Sequence, residues 1–286
     1  MTLLDGRKVS KEMLLKLQSE VNRLHAEHIH PKLAVILVGK DPASVSYIKQ
    51  KQKACDMTGI EWEQFDYDTD VTTDELIGKI HELNEDESIH GILVQLPLPR
   101  GVYVPDVIRA IEPKKDVDGF TAYNLGKMFL SMEFEHLAPC TPRGVIRLLE
   151  HYKIPIEGRE AVVVGHSNIV GKPLAMMLLN RNATVMVCHI HTKDLAAHTK
   201  NADILCVAVG KPDLIKADMV KEGATVIDIG INRLDNGELV GDVDFDEVAE
   251  KAGFITPVPG GIGPMTVACL MENTVTAAKR LNNIIN

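Results

Sequence analysis

AVVVGHSNIVGKP, residues 161–173, is an apolar strand pattern that stops at Gly165 and restarts as a helix near Gly171. A loop in this position meets the needs of a dinucleotide site. Gly165 permits the tight turn, and N–H groups left free at the helix start point at pyrophosphate oxygens. The spacing departs from G-x-G-x-x-G: Ser167 replaces the second glycine, and the last glycine falls one place late. From the glycines alone, a plain strand–helix turn stays open as a reading. The downstream pattern favours the cofactor. Strand patterns ATVMVC (183–188), ADILCVAVG (202–210) and ATVIDIG (224–230) follow, with helices expected at 171–180, 193–200 and 214–221. NRLDNGELVGDVD (232–244) reads as a hairpin or loop around Asn236-Gly237.

Upstream lies a second alternating series. Val9, Met13, Leu17, Val21 and Leu24 mark an amphipathic helix over 9–27, and LAVILVG (33–39) reads as a buried parallel strand. Asp41-Pro42 supplies an N-cap and a first-turn proline for a helix that ends before Gly59. A strand at 60–66, a helix at 73–84 and the strand GILVQL (91–96) complete a βαβαβ pattern. The expected architecture is α/β: two α/β domains around a cleft, the second a Rossmann-like NAD(P)-binding domain. Residues 1–120 form the first domain and 121–264 the second. The last helix, 265–286, returns to the first through Val267, Leu270, Met271, Val275 and Ala278.

Composition removes several functions from consideration. Net charge is −9, with 31 Lys+Arg against 40 Asp+Glu, which argues against a nucleic-acid partner. No apolar run approaches the roughly 18 residues of a membrane span, and the N-terminus has no signal-peptide apolar block. The five cysteines are scattered without a CxxC pair, so neither a disulfide framework nor a zinc site is expected. The expected location is cytoplasmic.

After the second nucleotide-domain strand the chain reads Cys188-His189-Ile190-His191-Thr192-Lys193. NAD sites often place a carboxylate here for the ribose 2′-hydroxyl. Its absence, with three residues able to carry positive charge, favours NADP over NAD; a surface histidine loop stays open. In the first domain Tyr47 and Lys51, spaced i, i+4, share a helix face. Gln95 stands at a strand end, where α/β ligand sites open. Asp116 and Asp118 lie in a glycine-containing loop. Taken singly, these also suit a packing pair, a backbone cap and an Asx turn.

Together, Tyr47-Ile48-Lys49-Gln50-Lys51, HGILVQLPLP (90–99), KDVDG (115–119), PCTPRG (139–144), GHSNIVGKP (165–173) and ITPVPGGIGPMT (255–266) carry a resemblance. The chain resembles, over nearly its whole length, the bifunctional methylenetetrahydrofolate dehydrogenase/cyclohydrolase family, often called the FolD family. The resemblance implies oxidation of 5,10-methylenetetrahydrofolate followed by hydrolysis of the methenyl product, tetrahydrofolate substrates, a homodimer and no metal. It implies Lys51 as the principal catalytic residue, Tyr47 stacking near the folate, Gln95 supporting Lys51, and Asp118 holding the pterin. Ile48, Lys49, Gln50, Val94, Leu96 and the loop Pro259, Gly260, Gly261, Ile262 and Gly263 join the implied substrate site. Gly165, His166, Ser167, Ile190 and Ile231 are the implied cofactor contacts. Many family members have Arg where this chain has His166 and Ser where it has Ile190, groups that engage the NADP 2′-phosphate. A dehydrogenase of another small metabolite, or a noncatalytic nucleotide sensor, shares the second domain but gives no reason for Tyr47, Lys51, Gln95 and Asp118 together.

The histidines give the first prediction. If His166, His189 and His191 supply the positive charge, NADP affinity weakens as pH rises and histidine charge is lost. Titrating NADP and NAD at pH 6 and 8 checks this. An NADP dissociation constant that is flat with pH, or much tighter productive use of NAD at neutral pH, removes the histidines from that role.

Overall fold

The computed structural model describes residues 1–285, which divide into two compact units. One holds 11–140 and the chain from Val267 onward; the other holds 1–10 and 141–266. β1 (Thr2–Leu3) leads into α1 (Gly6–Ala26), followed by β2 (Lys32–Val38), α2 (Pro42–Thr58), β3 (Glu61–Tyr67), α3 (Thr73–Glu85) and β4 (Gly91–Val94). The last three strands form a parallel sheet in the order β3-β2-β4. Strand β2 is buried on both faces, and its period of two divides it between two cores. Leu33, Val35 and Leu37 pack with Leu17, Val21, Ile48 and Leu270. Ala34, Ile36 and Val38 pack with Leu76, Ile80 and Val107.

The stretch after β4 contains α4 (Val104–Ala110), α5 (Ala122–Met128), a 3-10 turn at Met132–Phe134 and α6 (Cys140–His151). The sequence pattern leads to a helix near 104–111, which α4 matches, and then to a loop-rich crossing over 112–126 and 138–144, where α5 and the start of α6 form instead. The helices escape it because their starts look like turns: Thr121 caps α5 by accepting from the Asn124 N–H, and Pro142 sits in the first turn of α6, where no N–H partner is required. Residues 121–140 belong with the first sheet rather than with the nucleotide unit. Asn124 Nδ2 donates to Asp116 Oδ2 and to the Pro113 carbonyl, both at 2.9 Å. Asn273 is fully buried and donates to the carbonyls of Val117 (2.8 Å) and Ala138 (2.9 Å).

The other unit contains β5 (Glu160–Val164), α7 (Gly171–Leu179), β6 (Thr184–Cys188), α8 (Leu195–Thr199), β7 (Ile204–Val207) and β8 (Thr225–Asp228). They are followed by the hairpin β9 (Asn232–Arg233) and β10 (Leu239–Val240), then α9 (Phe245–Ala249), β11 (Phe254–Ile255) and α10 (Ile262–Leu281). The sheet order is β1-β11-β8-β7-β5-β6, with every pairing parallel. The order reverses between β5 and β7, the topological switch point at which open α/β sheets bind ligands. The helix expected at 214–221 is only a 3-10 turn, Ala217–Met219. Ile215 is taken into a β-bridge with Val243, its N–H donating to the Asp242 carbonyl and its own carbonyl accepting from Asp244. That extended residue prevents a continuous helix. No helix among the described residues is long and apolar enough to cross a membrane.

Lys115 shows how the first sheet is locked to its loops. It is 5% exposed, and its Nζ donates to the carbonyls of Leu83 (3.0 Å), Asn84 (2.7 Å) and Asp86 (2.7 Å). It thereby satisfies carbonyls at the end of α3 that the helix leaves free. Lys115→Met keeps the unbranched stem and strands these acceptors, so stability falls by about 1–3 kcal/mol. The urea midpoint is the measurement; an unchanged midpoint would contradict this role.

Candidate active site

The first unit brings together Lys51, Gln95 and Asp118. Helix α2 begins at Asp41, whose carboxylate accepts from the Ser44 N–H at 2.8 Å, with Pro42 in the first turn. It ends at Gly59 in the left-handed conformation. Those two caps fix the register that places Tyr47 one turn before Lys51 on the same face. Lys51 is only 6% exposed. Gln95 follows β4, and its N–H donates to the Ile36 carbonyl at 2.9 Å, extending the β2–β4 pairing. Its side-chain Nε2 donates to the Leu96 carbonyl at 2.6 Å, which turns Oε1 toward Lys51 to accept from Nζ at 2.8 Å.

The loop after Lys115 resolves the two aspartates into separate roles. Asp116 makes the turn: Oδ1 accepts from the N–H groups of Gly119 (2.9 Å) and Phe120 (3.2 Å), and Oδ2 from Thr121 (2.8 Å). Asp118 takes no part in those bonds. Burial pushes its carboxyl up from the ordinary carboxylate range, the Lys51 charge opposes that rise, and Asp116 adds to it. Burial also raises the Tyr47 phenol. An ammonium, an amide oxygen and a carboxylate therefore converge at a strand end, a set able to accept polar hydrogens and move a proton.

The remaining implied substrate residues are distributed differently. Ile48 and Val94 are buried in the two cores, so their side chains support the site rather than line it. Lys49 and Gln50 are exposed, and Leu96 is half-buried. The loop 259–263 belongs to the other unit. There Gly260 accepts from the Arg7 N–H at 3.1 Å, while Ile262 is buried and opens α10.

In the nucleotide unit Gly165 adopts φ +123°, and a Cβ there would strike the carbonyl oxygen of Ala208. A Cβ on Gly171 would strike the Gly165 carbonyl. The glycine that falls one place late in sequence thus performs the close helix–strand packing expected of a dinucleotide loop. The Ser167 hydroxyl accepts from the N–H groups of Val170 (3.1 Å) and Gly171 (3.3 Å). Its side chain therefore caps α7. Among the described residues, the N–H groups of His166, Ser167 and Asn168 have no protein acceptor. Beside them the His166 and His189 rings lie 5.0 Å apart, and His189 and His191 5.9 Å apart. Ile190 is 89% exposed, and Ile231 is also exposed.

The sequence reading missed Asn124 and Asn273 as supports of the Asp118 loop. It also missed Asp228 and Asp242, which are buried beneath the loops after β7 and β8. The two asparagines carry no spacing signal, because their partners, the Asp116 carboxylate and the backbone carbonyls of Pro113, Val117 and Ala138, are brought to them only by the fold. Asp228 stood in plain view as the one charged residue within an otherwise apolar strand pattern.

Fold and site together define a nucleotide-binding α/β enzyme with a separate acid–base unit. The chain belongs to the tetrahydrofolate dehydrogenase/cyclohydrolase family. The family's catalytic-domain model matches residues 4–118, and its NAD(P)-binding-domain model matches 139–282. A bifunctional protein FolD from Nautilia profundicola is 54% identical over 279 residues, covering 98% of each chain. The solved bifunctional FolD dehydrogenase/cyclohydrolase from Campylobacter jejuni is 51% identical, with TM-score 0.96, covering 98% of this chain and 99% of that one. The Trypanosoma brucei dehydrogenase-cyclohydrolase, solved with NADP cofactor and inhibitor, is 36% identical, with TM-score 0.95 over 98% of each chain.

Proposed function

We propose that the protein oxidises 5,10-methylenetetrahydrofolate to 5,10-methenyltetrahydrofolate with NADP, then hydrolyses that product to 10-formyltetrahydrofolate, in one-carbon metabolism. The observation that carries this reading is the part-buried Lys51–Gln95 hydrogen bond beside Asp118, within the unit that matches the family's catalytic domain.

The residues present fit the cofactor. Gly165 and Gly171 leave a cradle that a Cβ would fill, and the free N–H groups of 166–168 suit pyrophosphate. His166, His189 and His191 replace an acidic residue where a 2′-phosphate would lie, with Ile190 and Ile231 as apolar contacts. Ser167 serves through its backbone, since its hydroxyl caps α7. A bound NADP would supply the hydride acceptor for oxidation of the methylene carbon.

The chain's own groups orient the substrate and move protons. Asp118 accepts hydrogen bonds from the pterin edge, a charge-assisted anchor. Tyr47 stacks against the folate. The methenyl bridge carbon is cationic and already electrophilic, so hydrolysis needs an oriented water and proton movement. Lys51 Nζ handles the proton, and the Gln95 carbonyl holds Nζ in place.

We also propose a cytoplasmic homodimer. Five free, buried cysteines suit a reducing compartment. The edge strand β6 exposes Met186 and Val187, with Leu179 and Ile190 exposed nearby. A second copy pairing edge to edge about a two-fold axis covers this strand.

Two predictions test these readings. Lys51→Met keeps an unbranched side chain and removes the ammonium. Methenyl hydrolysis then falls by roughly two or more orders of magnitude, and dehydrogenation falls less. Gln95→Ala shifts the same balance, whereas Asp118→Ala weakens folate binding and lowers both activities. Intact hydrolysis with abolished dehydrogenation in Lys51→Met would reverse the assignment. For the dimer, sedimentation should give twice the chain mass, and Met186→Lys should shift it toward one chain; a single-chain mass at every concentration counts against the assembly.

A further inference from the structure

Asp228 and Asp242 are a buried pair of carboxylates that the proposed chemistry leaves unused. They are 4% and 0% exposed. Asp242 Oδ2 accepts from the N–H groups of Val209 (2.7 Å) and Gly210 (3.0 Å). Its Oδ1 accepts from the Lys211 N–H (2.8 Å) and from Asn232 Nδ2 (2.9 Å). Asp228 Oδ1 accepts from the N–H groups of Gly230 (3.1 Å) and Asp242 (3.0 Å), and Oδ2 from Val243 (2.9 Å). Seven N–H bonds thus converge on two side chains. Both approaches depend on glycine: a Cβ on Gly230 would collide with the Asp242 carboxylate, and one on Gly241 with that of Asp228.

The pair ties together the chain just beyond β7 and β8. Gly165 packs against Ala208, so the segment 208–211 borders the glycine loop at the switch point. On the other side of that loop lie His189 and His191, where the 2′-phosphate half of a dinucleotide would sit. The segments over β7 and β8 therefore face the nicotinamide half. Val209 and Ile231 are exposed there, each adjoining a residue whose backbone the pair holds.

We propose that Asp242 and Asp228 are positioning residues for hydride transfer: by holding the backbone of 209–211 and Gly230 and the side chain of Asn232, they shape the half of the nucleotide site that seats the nicotinamide. This rests on the dehydrogenase reading above. Burial pushes the Asp228 carboxyl up to about 7; N–H groups of Asp242 and Val243 oppose that rise, and the Asp242 charge adds to it. Such a perturbed group at a ligand-binding strand end is a mark of functional sites.

The test is a split between the two activities. Asp242→Asn keeps the shape but sets an NH2 against backbone N–H groups that need an acceptor. The NADP KM and the directly titrated NADP dissociation constant should rise about tenfold or more, with a fall in dehydrogenase kcat. Hydrolysis of supplied methenyltetrahydrofolate, which draws on Lys51, should stay within about twofold of wild type. Asn232→Ala removes one partner of Asp242 and should give a smaller change in the same direction; it decides the matter if Asp242→Asn does not fold. Normal NADP kinetics in the variants would overturn the proposal. So would parallel loss of both activities, because general destabilisation spares neither. A wild-type protein inactive in both assays would instead remove the underlying dehydrogenase/cyclohydrolase reading.

Discussion

Lys51 is a residue only 6% exposed, so its charge has to be compensated, and groups of the first unit do that. Burying a lone charge costs several kcal/mol, and the cost falls only with hydrogen bonds and opposite charge close by. Gln95 gives the hydrogen bond because its own amide is tethered to Leu96. Asp118 gives the opposite charge because Asp116 has taken over the work of forming the turn. Asn273, from the last helix, clamps the carbonyls on either side of that loop, at Val117 and Ala138. The C-terminal helix is thus part of the site's support, although it lies more than 150 residues beyond the loop in sequence.

The nucleotide unit solves a different problem, the close approach of backbone to backbone. Gly165 meets the end of β7, and Gly171 meets Gly165. Removing two side chains lets helix and strands approach closely enough to leave N–H groups of the loop free. Ser167 then satisfies the N–H groups at the helix start that would otherwise compete for a ligand. A departure from the glycine spacing is therefore no departure in geometry. The two aspartates beneath the neighbouring loops follow the same logic from the other side: irregular backbone at a ligand site needs its N–H groups tied down, and a carboxylate accepts several at once.

Much of this was legible in the residue pattern. The two βα series follow from period and punctuation: continuous apolar runs at 33–38 and 161–164, Asp41-Pro42 opening a helix and Gly59 closing it. The spacing of Tyr47 and Lys51 put them on one helix face, and the blocks around Lys51, Gln95, Asp118 and Gly165 identified the family. These features are local, so chain order carries them.

Other features depend on residues far apart in sequence. Whether Asp116 or Asp118 makes the turn is decided by which carboxylate meets the N–H groups of 119–121. The helix expected at 214–221 is lost because Val243 claims Ile215 for a bridge. β1 and β11 are two-residue strands, too short to show a period, and exist only because each has a sheet edge to pair with. Sequence by itself determined the elements with their own periodicity and caps, and the residue types that carry the chemistry. Tertiary structure alone decided which of those groups meet, since a hydrogen bond or buried charge pair between distant residues has no signature along the chain until packing removes water from both partners.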